Sequence, residues 1–258
     1  MKVIILAAGW GSRLRPLTDD RPKCMVEVNG RSIIRRQLDT MFSCGIKEED
    51  ITIVAGYKSE VLKKEFQDTV IQFIVNEEFE TTNMVCSLMC ARKQMEEETD
   101  IIVSYGDIIY DESVFQKILA AQEDMSVIVD DGWYDYWAKR CENPLDDAET
   151  LMMDKEGFLT EIGQKTTDLS RVQSQYIGLM RFRGHGLKSI LDLSAEAKRR
   201  SANGELLWRT DRNYAKMYMT DLLQGLIDEG NRLRAVPIYR GWFEIDNCDD
   251  LKVVEAEL

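Results

Sequence analysis

Histidine is almost missing from this chain: His185 is the only one, set in an RFRGHG context. A catalytic triad or a histidine-rich zinc centre would have to rest on that single ring, so both are excluded as leading chemistries. The six cysteines are scattered at positions 24, 44, 86, 90, 141 and 248, with no C-x-x-C pair. Cys86 and Cys90 stand one helical turn apart and read as small apolar residues on a helix face. The pattern fits reduced thiols in a cytoplasmic protein. There is no apolar run of the roughly 18 residues a membrane span needs. The apolar start MKVIILAAG soon meets glycines and arginines, so it reads as a buried strand and not as a secretion signal. There are no repeats, low-complexity tracts or Pro/Gly-rich linkers, and only four prolines. Positive charge is also scarce. Against 46 acidic residues stand 33 Lys and Arg, a net charge of -13, which argues against nucleic acid as a main partner.

The scarce positive charge is unevenly placed. Lys2, Arg13, Arg15, Arg21 and Lys23 fall within the first 23 residues, opposed only by Asp19 and Asp20. A basic stretch in an acidic chain points to a local anion site. It follows Val3–Ala7, a continuous apolar run of the kind found in strands buried on both faces. The turn itself is AAGWGSR. Glycine permits sharp turns and close approach of backbone N–H groups to a ligand, and successive N–H groups form an anion nest. With Arg13 in the loop and Lys23 after it, the cradle suits a polyphosphate. It is not a Walker loop, because G-x-x-x-x-G-K-[ST] is absent, and it is not a dinucleotide fingerprint, because the third glycine position is Leu14.

Downstream, strand and helix patterns alternate. Strands are expected at Ile51–Ala55, Val70–Val75, Asp100–Ser104 and Met125–Val129. Helices are expected at Arg31–Cys44, Lys58–Gln67, Thr82–Glu97 and Ser113–Ala121. The second half is less regular. It reads as a hairpin around Asp154–Gly157, a strand over Gln175–Phe182, helices over Gly186–Arg200 and Met219–Glu229, a strand over Leu233–Pro237 and a closing helix over Cys248–Glu257. The class is α/β, an open, mostly parallel sheet with helices on both faces. One domain over 1–258 is the simplest organisation: 1–130 form the core that carries the anion cradle, and 131–258 supply insertions over the sheet's carboxyl edge and closing elements.

Asp107 follows the DIIVS strand in Ser104-Tyr105-Gly106-Asp107. A carboxylate at the carboxyl end of a parallel strand lies on the ligand side of such a sheet. Glu244 and Asp246, after Trp242, share a side if that piece is extended. Such hard oxygen donors suit Mg2+. Asp249 and Asp250 read as caps of the last helix. The stretch 130–140 holds Trp133, Tyr134, Tyr136 and Trp137 among three aspartates. Aromatic faces with carboxylates attract ammonium groups, each cation–π contact contributing roughly 0.5–2 kcal/mol. This is the expected amine cage, with Lys139 and Arg140 as phosphate-binding candidates beside it.

The stretch LAAGWGSRLRPLTDDRPKCMVEVNG closely resembles the signature of nucleotidyltransferases that join a nucleoside triphosphate to a small phosphorylated compound. The resemblance continues through IVAGYKSE, VSYGDI and FEIDNCDDL. It implies a Rossmann-like, GT-A-like nucleotidyltransferase fold. It implies Lys23, Arg13 and Asp107 as catalytic residues and Asp107 and Asp246 as the magnesium ligands. The nucleotide would lie on Leu6, Ala7, Ala8, Gly9, Gly11, Ser12, Arg13, Lys23, Gly56, Tyr57, Ser87, Ser104 and Gly106. Thr82–Leu88 is similar to the N-x-x-x-S-L helix start of choline-phosphate and aminoalkylphosphonate cytidylyltransferases, as is Gln175–Gly178. Acceptor-binding residues on that reading are Asn83, Trp133, Tyr136, Trp137, Lys139 and Trp242. Where hexose-phosphate enzymes carry an E-x-K-P-like stretch, this chain has Leu159–Lys165 without proline. Cys24 and Arg31-Ser32 also depart from the commoner pattern.

The expected partners are CTP and a small amine-bearing phosphate or phosphonate, with no nucleic acid and no membrane span; a homodimer is a possible assembly. A sugar-1-phosphate uridylyl- or thymidylyltransferase is the alternative in the same class. A non-catalytic nucleotide-binding subunit is the alternative in another. It would show a broken loop or missing carboxylates, whereas Arg13, Lys23, Asp107 and Asp246 are all present.

Overall fold

The apolar run near the start of the chain becomes the strand Lys2–Ala7, and its side chains alternate between two cores. Val3, Ile5 and Ala7 pack on one face of the central sheet, and Ile4 and Leu6 on the other. Burial on both sides explains why this strand is continuously apolar instead of alternating with polar residues. The computed structural model describes all 258 residues. Seven strands form the sheet, in the order Arg234–Ile238, Met125–Asp130, Gln175–Arg183, Asp100–Tyr105, Lys2–Ala7, Ile51–Ala55, Gln72–Val75. Only Gln175–Arg183 runs antiparallel to its neighbours, so the sheet is mostly parallel and mixed.

Two of the seven strands come from beyond residue 130, so the second half completes the same sheet as the first. The hairpin expected around Asp154–Gly157 forms separately from Glu149–Met153 and Leu159–Lys165. A short pair that the sequence reading missed joins Ile108–Tyr110 to Trp242–Glu244. This pair brings the late EID segment back to the end of the Asp100–Tyr105 strand.

Helix boundaries follow local chemistry. Ile33–Ser43 buries Ile34, Leu38 and Met41, and Gly45 leaves the helix with φ of +89°. The helix expected over Thr82–Glu97 is two helices, Met84–Cys90 and Arg92–Glu97, broken at Ala91. Asn83 caps the first through its side-chain oxygen, which accepts from the Met84 N–H at 2.8 Å. The closing helix Cys248–Glu257 begins with a capping box made by Asn247 and Asp250. No helix is long and apolar enough to cross a membrane.

The 130–140 stretch is the helix Trp133–Arg140. Positions 133, 136, 137 and 140 recur at helical spacing and face inward. Trp133, Tyr136, Trp137 and Trp242 join one core cluster, each no more than 5% exposed. Asp130, fully buried at the end of its strand, fixes this corner. It accepts from Trp242 Nε1 at 2.8 Å, the Gly132 N–H at 2.9 Å and the Arg240 guanidinium at 3.0 Å. The aromatics are therefore tied into the interior by their polar edges as well as by area.

Candidate active site

The glycine loop leaves the carboxyl end of Lys2–Ala7 and is shaped by close contacts. Gly11 has φ of +62°, and a Cβ there would come within 2.8 Å of Lys23 Cβ. Only glycine lets the loop fold back on the segment that carries Lys23. Thr18 locks the turn by donating to the Gly11 carbonyl at 2.8 Å. A Cβ on Gly9 would meet nothing within 4 Å, so this glycine leaves open space over the loop. Gly56 and Gly106 serve differently. A side chain on Gly106 would strike the Leu6 carbonyl of the first strand, and one on Gly56 the Ala8 carbonyl just beyond it. They allow neighbouring loops to pack at the strand end.

Three carboxylates meet here. Asp107, Glu244 and Asp246 each offer an oxygen lying within 4.8 Å of the others. Lys23 Nζ donates to Asp107 Oδ2 at 2.7 Å and Asp246 Oδ1 at 2.5 Å. An Arg13 terminal nitrogen lies 3.1 Å from Asp246 Oδ2. Asp107 Oδ1 is buried and accepts no hydrogen bond. Burial disfavours the charged form of Lys23, but Asp107 and Asp246 outweigh it and hold the ammonium above its ordinary value. Burial likewise opposes charge on Asp246, and Lys23 overcomes it, leaving the carboxyl below its ordinary value. Glu244 is pushed up, by burial first and then by the charge of Asp246. A divalent cation fits this donor set. Hard oxygens converge, one of them lacks a partner, and the Lys23 ammonium already occupies the place of a positive charge.

Arg140 positions these groups from behind. Only 6% exposed, it holds Glu244 through one nitrogen at 2.9 Å and Asp250 through another at 2.9 Å. Asp250 in turn accepts from the Asp246 N–H at 2.9 Å. Gln37 does the same for the other carboxylate's loop, donating to the Tyr105 and Ile108 carbonyls that flank Asp107. Neither Arg140 nor Lys139 reaches the cleft. Arg140 is committed to carboxylates, and Lys139 pairs with Glu257 on the outer surface at 2.7 Å.

Two connected chambers open beside the loop. The smaller, about 140 Å³, is lined by Leu6, Ala8, Gly9, Asn83, Ser87 and Asp107 among others. Asn83 therefore lines the same chamber as Ala8 and Ser87, on the nucleotide side of the expected arrangement. The larger, about 520 Å³, runs from Gly9–Arg13 past Lys23 and the three carboxylates to Glu149, Lys165, Gln175 and Tyr176. Several expected nucleotide residues support the walls without lining them. Ala7 is core. Ser104 is buried, its hydroxyl beside the Tyr105 carbonyl and the Tyr110 hydroxyl. The Tyr57 hydroxyl donates to the Thr18 and Asp19 carbonyls, so it clamps the loop. Its ring stacks on Trp10 at 5.4 Å.

The expected amine cage does not form as an open box. Trp133, Tyr136 and Trp242 lie inside the core, and only Trp137 reaches the larger chamber, with its Nε1 held by Asp147 at 3.0 Å. The reason is the helical period, which turns 133, 136 and 137 inward together and leaves Tyr134 outside. Trp133→Ala is accordingly expected to cost about 3–5 kcal/mol of stability, measured by denaturant unfolding, with the KM for the acceptor little changed. A raised KM at unchanged stability would return Trp133 to the binding surface.

Glu149, Tyr218 and Thr220, which were not singled out from sequence, line the larger chamber together with Tyr176 of the Gln175–Gly178 stretch. They come from the hairpin, a bulged strand and a helix start. The bulge falls between Tyr176 and Met180, where Gly178 has φ of +84° and packs on the Tyr105 ring. The tandem Gln175-Tyr176 before that glycine was the one sequence signal available.

Residues 3–166 match the model of the MobA-like NTP transferase domain. Over 258 residues, 98% of each chain, the protein is 41% identical to the CTP:phosphoglutamine cytidylyltransferase of Campylobacter jejuni. It is 35% identical to the choline-phosphate cytidylyltransferase of Streptococcus pneumoniae over 95 residues, 37% of this chain and 41% of that one. Among solved structures, the CTP:phosphocholine cytidylyltransferase from Streptococcus pneumoniae superposes with a TM-score of 0.71 at 20% identity, covering 99% of this chain and 98% of that one. The inositol-1-phosphate CTP transferase from T. maritima does so with 0.73 at 18% identity, covering 98% and 93%. These likenesses show the fold. The chain belongs to the MobA-like NTP transferase family and is a nucleotidyltransferase.

Proposed function

We propose that the protein is a Mg2+-dependent cytidylyltransferase that transfers CMP from CTP to a small amine-bearing phosphate or phosphonate and releases pyrophosphate. The observation that carries the chemistry is the meeting of Arg13 and Lys23 with Asp107 and Asp246 at the mouth of the glycine loop. The choice of CTP and of the acceptor class rests on the relatives, which carry the names CTP:phosphoglutamine, choline-phosphate and 2-aminoethylphosphonate cytidylyltransferase.

An acceptor phosphate or phosphonate oxygen is already ionised near neutral pH, so no general base is needed. That oxygen attacks the α-phosphorus of CTP in line. One P–O bond forms, the bond to the β-phosphate bridge breaks, and pyrophosphate departs with the electron pair. Leu6, Ala8, Gly9 and Ser87 form the wall for the nucleoside, and Gly9, Gly11 and Ser12 give the phosphates close backbone access. Arg13 and Lys23 hold phosphate oxygens and offset the charge that builds up as pyrophosphate leaves. Asp107 and Asp246, with Glu244 beside them, would hold Mg2+, which supplies charge neutralisation and orientation of the triphosphate. The protein's own contribution is therefore positioning and preorganised charge.

The test is pyrophosphate release with Mg2+, crossing CTP, UTP, dTTP and ATP against choline-phosphate, 2-aminoethylphosphonate, ethanolamine-phosphate, phosphoglutamine and glucose-1-phosphate. Turnover confined to CTP with amine-bearing acceptors is expected. Turnover with glucose-1-phosphate and another triphosphate would overturn the assignment.

A further inference from the structure

Beyond the larger chamber lies an annex of about 340 Å³, and the two share Glu149 and Lys165 in their walls. The annex has no hydrophobic lining residue. Its wall carries three cations, Lys165, Arg209 and Arg212, and two carboxylates, Glu149 and Asp211. We propose that this annex receives an α-amino acid headgroup on the acceptor, with Glu149 taking the ammonium and Arg212, assisted by Arg209, taking the carboxylate. The inference rests on the cytidylyltransferase reading above and narrows its acceptor class.

Three features lead there. First, Glu149 has no Lys, Arg or His nitrogen within 4.0 Å of its carboxylate, although it lies in a partly buried wall. Lys165, next to it in the same wall, forms no ion pair and donates only to the Asp147 carbonyl, at 2.9 Å. Glu149 and Lys165 are cross-strand neighbours whose opposite charges face each other without a close ion pair, an arrangement that can open to a ligand bearing both signs. Second, Arg212 is held by one arm. A single terminal nitrogen reaches Asp221, at 3.0 and 3.2 Å, and the guanidinium stacks over the Tyr218 ring at 4.0 Å. Its Nε and other terminal nitrogen make no hydrogen bond, so one edge of a braced fork is left for a carboxylate. Third, a quaternary ammonium would be served by aromatic faces. Trp10, Tyr105, Trp137, Tyr176 and Tyr218 all line the larger chamber, and none lines the annex, so the annex itself offers charges and no aromatic face.

The experiment compares four acceptors with CTP and Mg2+: phosphoglutamine, its analogue lacking the α-carboxylate, its analogue lacking the α-amine, and choline-phosphate. Wild-type kcat/KM is expected to fall at least about tenfold on loss of either group. Glu149→Gln should raise the KM for phosphoglutamine by about tenfold or more and leave the des-amino analogue unaffected. Arg212→Gln should do the same for the carboxylate-bearing acceptors and spare the decarboxylated one. Arg212 also holds buried Asp221 and Arg209 also pairs with Asp228 at 2.8 Å, so Arg209→Gln is the second variant and the melting temperature of each is measured beside its kinetics; the expected loss is again confined to carboxylate-bearing acceptors. Equal kcat/KM for all four acceptors would overturn the headgroup proposal and leave cytidylyl transfer standing. Equal losses in Glu149→Gln with and without the amine would overturn the role of Glu149. Turnover with sugar phosphates alone would overturn both readings.

Discussion

Lys23→Ala is expected to lower turnover at least about a hundredfold, measured as pyrophosphate release at saturating CTP. The ammonium is the cation nearest the meeting point of the carboxylates, 2.7 Å from Asp107 and 2.5 Å from Asp246. Removing it takes away charge that offsets the leaving pyrophosphate, and it also leaves two carboxylates facing each other. The second effect acts on stability and the first on rate, so melting and kinetics together separate them. Because its neighbours raise the folded-state pKa of Lys23, its stabilising contribution is fully present below the unfolded value of about 10.4. That contribution is lost only as pH rises through the still higher folded value. Between pH 6 and 9 the loss of melting temperature in the variant should therefore not vary through Lys23. Turnover near normal would remove Lys23 from the mechanism; a fall in turnover that tracks unfolding alone would make its role structural.

Asp107→Asn should cause a loss of similar size, at least about a hundredfold, with a readout that Lys23 does not share. The amide keeps the shape and gives up the charge. Of the three clustered carboxylates, Asp107 is the one with a buried oxygen that has no partner. If that oxygen binds Mg2+, the variant needs a higher Mg2+ concentration for half-maximal rate, and added Mg2+ restores part of the activity. An unchanged Mg2+ requirement with near-normal turnover would withdraw Asp107 as a metal ligand. The same titration on wild type tests the metal itself: chelation should abolish turnover, while the Lys23 bridge to Asp107 and Asp246 should help keep the fold in place.

The sequence by itself determined the sheet and its ligand-bearing edge. Periodicity and apolar runs located all seven strands to within two residues, because two-sided burial demands continuous Val, Ile and Leu and loop glycines mark the strand ends. Arg13, Lys23 and Asp107 stand out by charge and by position at a strand end, which are local properties; their grouping with Asp246 came from the resemblance to the nucleotidyltransferase signature. Tertiary structure decided what depends on facing. Sequence displayed Trp133, Tyr136 and Trp137 as available rings, but helical spacing and the buried Asp130 turned them into core. The Ile108–Tyr110 and Trp242–Glu244 pair carried Glu244 and Asp246 across more than 130 residues to meet Asp107. The annex joins Glu149 from a hairpin strand to Arg209 and Arg212 from a distant loop. No local pattern encodes such meetings, since each residue satisfies only its own turn or strand. They arise when the whole sheet and its covering segments close around one cleft.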